Sequence, residues 1–74
     1  MKTANLIKMA NQISAFFEAM PDREQAVRDV ATHILKNWDP RMRDALLAHV
    51  RDSGEGELSV MVRDALLLVR QAGR

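Results

Sequence analysis

Few side chains in this 74-residue chain are of types that do chemistry. Cysteine is absent, which removes disulfides, thiolate zinc sites, iron–sulfur ligation and Cys nucleophiles together. Histidine is the side-chain type suited to proton transfer or metal ligation near neutrality, but the two here, His33 and His49, stand 16 positions apart on separate predicted helices. They lack the i, i+3 or i+4 spacing of a helical metal pair, so both read as surface or boundary side chains. Acid–base catalysis needs a carboxylate in a dry pocket. Here Asp22 and Asp39 read as helix caps, and Asp29, Asp44 and Asp64 lie on polar faces beside arginines, where solvated pairing is the ordinary outcome. Ser14, Ser53 and Ser59 have no nucleophile-elbow context, and Gly54-Glu55-Gly56 does not match a phosphate-binding loop. No catalytic, cofactor-binding or metal-ligating residue is expected, and the chain is not expected to be an enzyme by itself.

Binding is better represented. The segment Trp38-Asp39-Pro40-Arg41-Met42-Arg43 concentrates Trp, Arg and Met, the types enriched at interface hot spots. Arg41 and Arg43 fall in the first turn of a predicted helix, where their charge opposes the macrodipole and invites an anionic partner. For Trp38 the favoured reading is that it closes the core, while solvated surface is an even alternative for Arg41 and Arg43. A second candidate surface is aliphatic and lies on the last predicted helix.

The elements that position these residues are set by three breaks. At Met20-Pro21-Asp22, the proline stops one helix, and Asp22 with Gln25 reads as the start of the next. At Trp38-Asp39-Pro40, aspartate caps and proline takes the first helical position. The run Asp52-Ser53-Gly54-Glu55-Gly56 suits a helix end and a tight loop, and Ser59 can cap the last helix. No stretch alternates as a strand does. The reading is all-α: a single domain, 1–74, of about four short helices, roughly 3–19, 23–37, 40–52 and 59–72.

Helical periodicity puts Leu6, Met9, Ile13, Phe16, Phe17 and Met20 on one arc of the first helix, with Lys8, Asn11 and Ala15 opposite. Val27, Val30, Ala31, Ile34 and Trp38 share a face of the second. In the last helix Leu58, Val62, Ala65, Leu66 and Val69 form one stripe, while Val60, Leu67 and Leu68 lie nearly opposite. Leu47 in the third helix shows the same misfit. Its context also repeats, Arg43-Asp44-Ala45-Leu46-Leu47 recurring as Arg63-Asp64-Ala65-Leu66-Leu67. A helix apolar on both sides asks to be covered on both sides. Trp38, Arg41, Arg43, Leu47, Val60, Leu67 and Leu68 are therefore the expected partner-binding residues.

Size and charge narrow the partner. Below ~70–80 residues one core rarely supplies more than ~3–5 kcal/mol, so a partner is the default expectation for a chain without disulfides. Lys and Arg number 11 against 10 Asp and Glu, a net +1, which argues against a nucleic-acid or membrane-surface module. No apolar run approaches a membrane span. The start, Met1 to Ser14, is interrupted by Lys and Asn too often for a signal peptide, and a cytoplasmic setting is expected. The competing class is a free-standing regulatory or DNA-binding helical protein, homodimeric through the same aliphatic patch. Against DNA, the third helix balances Arg41, Arg43 and Arg51 with Asp39, Asp44 and Asp52.

Several runs together resemble a known family. Met9-Ala10-Asn11-Gln12-Ile13 and Phe16 through Glu24 look like the delta subunit of NAD-dependent, molybdenum-containing formate dehydrogenases. So do Ala31-Thr32-His33-Ile34, the Trp38–Arg43 segment, Leu46-Leu47-Ala48-His49 and Gly54-Glu55-Gly56-Glu57-Leu58-Ser59 with Val62 and Ala65-Leu66. The chain departs at Ser14, where relatives often have glycine, and at Asn37, where an aromatic often precedes the tryptophan. The resemblance implies a non-catalytic accessory subunit of a cytoplasmic complex that oxidises formate with reduction of NAD. It would dock on the large alpha subunit, which holds the bis-molybdopterin guanine dinucleotide molybdenum centre and iron–sulfur clusters. Beta and gamma subunits carry further clusters and FMN. The implied role is support of assembly, cofactor incorporation or stability.

Overall fold

The computed structural model describes residues 2–72, which form four helices: α1 (Thr3–Phe17), α2 (Arg23–Asn37), α3 (Pro40–Ser53) and α4 (Val60–Ala72). The all-helical reading is correct: no strand occurs among the described residues. Each boundary is set by a residue that acts on its own backbone. α1 stops at Phe17, two residues short of the expected end, and a turn through Glu18 and Ala19 leads to Pro21, which holds Met20 out of helical geometry. Asp22 caps α2 by accepting from the Gln25 N–H at 3.2 Å. The reciprocal half of the capping box is missing, because the Gln25 amide turns instead to Asp29 at 2.8 Å. Asp39 caps α3 by accepting from the Arg41 N–H at 2.8 Å, with Pro40 at the first position. Gly54 ends α3 with a φ of +85°, a value that disfavours any side chain. Ser59 caps α4 through Val62, 3.2 Å away.

α4 lies along α2, α1 touches all three other helices, and α3 is held mainly by α1. The core runs through the middle of this arrangement: Leu6 from α1, Val30 and Ile34 from α2, Leu46 from α3, Val62 and Val69 from α4, all fully buried. Each such side chain contributes roughly 1.5–3 kcal/mol of gross burial energy. Buried Ala10, Ala26 and Ala65 stand on α1, α2 and α4. A methyl in place of a longer side chain lets helix axes approach closely.

One sequence expectation is overturned. The buried side of α1 is Leu6, Ile7, Ala10 and Ser14, not the arc through Met9 and Phe16. Met9 is exposed and Phe16 is 77% exposed, while Ile13, Phe17 and Met20 pack partway onto the core. The cause is polar. Asn11 donates to the Glu57 carbonyl and accepts from the Ser59 N–H, both at 2.9 Å. Ser14 Oγ lies 2.9 Å from Ser59 Oγ and donates to the Asn11 carbonyl at 2.9 Å. These bonds tie the loop before α4 to α1 and turn the helix so that its small polar side chains face inward.

Candidate functional site

The seven expected partner-binding residues do not form one cluster. Trp38 is a correction: it is 6% exposed and closes the core, because the apolar stripe of α2 continues one residue past the helix end. It has almost no surface to offer. Met42 also packs against the core, so the tryptophan-to-arginine segment divides between inside and outside. Arg41 is exposed and Arg43 half-buried, both in the first turn of α3, and neither forms an ion pair among the described residues. Their guanidinium groups are therefore available to an external anion.

On α4, Val60 and Leu67 are exposed by 59% and 54%, and two helical turns separate them on one side. Leu68 is different. It packs partly onto the core, because α2 brings Val27 beside it. Leu67 and Leu68 line an open groove of about 530 Å³ between α2 and α4, with Val27, Arg23, Glu24, Arg28, Asp64 and Gln71. Its charges pair with one another: Arg23 Nη2 lies 3.8 Å from Asp64 Oδ2, and Arg28 Nη1 3.9 Å from Glu24 Oε2. Exposed pairs of this kind contribute at most ~1 kcal/mol. They leave the groove apolar in its floor and neutral at its rim.

Leu47 lies elsewhere. It is half-buried against the core and lines a second open groove, of about 650 Å³, with Asp44, Ala48, Val50 and Arg51 of α3 and Arg70 of α4. Asp52 accepts a hydrogen bond from Arg51 at 3.1 Å, and this bond with its charge raises the Arg51 guanidinium above its ordinary value. His49 faces Glu57 at 3.7 Å, an ion pair only when the imidazole is protonated.

Sequence periodicity missed a third surface, made by Ile13, Phe16, Phe17 and His33 between α1 and α2. Phe16 and Phe17 meet edge to face, with ring centroids 5.2 Å apart. The signal was the pair Asn11 and Ser14. Once they face inward, Met9 and Phe16 of the predicted apolar arc face outward.

A model of the family described as "NADH-dependant formate dehydrogenase delta subunit FdsD" matches residues 5–66. The chain belongs to the formate dehydrogenase delta subunit family. The match spans most of the sequence, from α1 into α4, and takes in the Asn11–Ser14–Ser59 tie and the segment from Trp38 to Arg43. Leu67 and Leu68 lie just past its end. No curated protein and no solved structure matches the chain. Cysteine is absent, and no three His, Asp or Glu side chains converge among the described residues. Among those residues no helix is long and apolar enough to cross a membrane.

Proposed function

We propose that this chain is the non-catalytic accessory subunit of a cytoplasmic NAD-dependent formate dehydrogenase. It docks on the large molybdenum-containing alpha subunit and supports assembly, cofactor incorporation or stability of the complex. The bis-molybdopterin guanine dinucleotide centre, the iron–sulfur clusters, FMN and the NAD site belong to alpha, beta and gamma subunits in this reading. The observation that carries it, beside the family membership, is surplus apolar surface on a small core. Val60 and Leu67 on α4 and Phe16 on α1 are each more than half exposed. In this reading Val60, Leu67 and Leu68 supply contact area, Leu47 adds to it from α3, and Arg41 and Arg43 orient the contact.

The test is a pull-down of the tagged chain from its host, weighed by native mass spectrometry and assayed for formate-dependent NAD reduction. Recovery in an active, molybdenum-containing complex supports a resident accessory subunit. Recovery with inactive, cofactor-free large subunit makes it a maturation factor. Recovery alone or as a homodimer overturns the proposal.

A further inference from the structure

The repeated pentapeptide does the same thing twice. In each copy one leucine, Leu46 or Leu66, enters the core, and the aspartate and the following leucine face a groove. Beneath one groove lie Asp44, Leu47, Ala48 and Arg51 of α3; beneath the other lie Asp64, Leu67, Leu68 and Gln71, each 20 positions later. What differs is the opposite wall. Across the α4 copy, α2 sets Arg23 3.8 Å from Asp64 and, one helical turn on, adds Val27 to the groove that Leu67 and Leu68 line. Across the α3 copy, the opposite wall is Arg70, from the last turn of α4. Asp44 and Arg70 form no ion pair among the described residues.

The molecule thus contains its own example of what this surface accepts: a helix that gives a cation to the aspartate and an aliphatic side chain one turn later. The α3 copy asks for one thing more. Arg51 stands two turns beyond Asp44, roughly 10 Å along the axis, and Arg70 faces the same end. The Asp52 partner of Arg51 is exposed and adjacent in sequence, a weak pairing that leaves the guanidinium open to a second carboxylate.

We propose that the groove between α3 and α4 seats an amphipathic helix of a partner subunit. Its basic residue meets Asp44, its aliphatic residues cover Leu47, Ala48 and Val50, and its carboxylate sits between Arg51 and Arg70. The proposal rests on the reading that the chain works as a subunit and names the chemistry of what it meets.

Full-length chain is expressed in its host with the whole complex, and the amount retained per large subunit is measured. Arg51→Glu/Arg70→Glu reduces retention at least tenfold, while Lys8→Glu/Lys36→Glu, an equal charge change on exposed positions outside the grooves, leaves it unchanged. Both variants keep the wild-type far-ultraviolet dichroism. Because the chain lacks cysteine, Ala48→Cys provides a single attachment point for a benzophenone cross-linker. The cross-linked peptide carries basic and acidic residues about two turns apart, with aliphatic residues between them. Undiminished retention of the double reversal overturns the proposal, as does a cross-link to a second copy of this chain, or a retained labelled chain that cross-links to nothing. Wild-type chain that accompanies no other subunit overturns the underlying subunit reading instead.

Discussion

Asn11→Ala should cost this chain a large share of its stability although it removes no apolar contact from the core. The side chain makes two hydrogen bonds at 2.9 Å, one to the Glu57 carbonyl and one from the Ser59 N–H, and so fixes a loop 46 to 48 residues away. A hydrogen bond contributes about 0.5–1.5 kcal/mol net. The Glu57 bond is exposed and water can replace it, which places it at the low end; the Ser59 bond is part-buried and lies higher. Together they come to about 1–2.5 kcal/mol, against the ~3–5 kcal/mol available to one core of this size. At about 4–8 °C per kcal/mol the melting temperature falls by roughly 4–20 °C.

The assay is urea and thermal unfolding of the full chain, followed by far-ultraviolet circular dichroism. The midpoint should fall without a change in the urea dependence, since the same surface is exposed on unfolding. Asn11→Asp keeps the acceptor for Ser59 and loses the donor to Glu57, so it should fall between wild type and alanine. Amide exchange should quicken first at residues 57–59. A melting temperature within about 1 °C of wild type would falsify the claim that this tie orients α1 and places α4.

The repeated pentapeptide gives a second comparison: Leu46→Ala and Leu66→Ala should each cost about 2–5 kcal/mol and abolish a cooperative transition in the isolated chain, whereas Leu67→Ala should stay within about 0.5 kcal/mol. Equal losses at Leu66 and Leu67 would contradict the burial described for α4. Val60→Asp with Leu67→Asp should release the chain from its complex with dichroism unchanged, and undiminished co-purification would remove α4 from the docking surface. Arg41→Ala with Arg43→Ala should weaken complex formation or lower its molybdenum content; if both stay at wild-type level, those arginines are solvated surface.

Legibility in the sequence divides along a physical line. The breaks were legible because each is marked by a residue that acts on its own backbone: Asp22, Asp39 with Pro40, Gly54, Ser59. The buried stripe of α4 was legible because Val62, Ala65, Leu66 and Val69 leave little choice of face. α1 offered a choice. Leu6, Ile7, Met9, Ala10, Ile13, Phe16 and Phe17 spread over about half of its circumference, so periodicity alone permits more than one rotation. The decision is made by Asn11 and Ser14 through bonds to residues more than forty positions away, which no local pattern encodes. The burial of Trp38 was legible on its helical face, where it continues the stripe of Val30, Ala31 and Ile34. Its residue type is common at interfaces, but its position extends the α2 stripe inward. Leu68 looked unpartnered only because the approach of Val27 from α2 is a tertiary fact.

The placement of apolar surface also bears on how the chain's stability should be understood. Burying a side chain such as Phe16 is worth about 1.5–3 kcal/mol relative to leaving it in water. That is comparable with the whole stability expected of so small a core. Yet α1 is oriented by Asn11 and Ser14 so that Phe16 stays outside, and α4 leaves Val60 and Leu67 outside as well. Within the folded chain this arrangement leaves the burial energy of Phe16, Val60 and Leu67 unrealised. That energy is gained only when another surface covers these side chains. If the proposed docking covers these side chains, stability should exceed that of the chain alone and rise with the concentration of a partner that binds only the folded chain, by ordinary mass action.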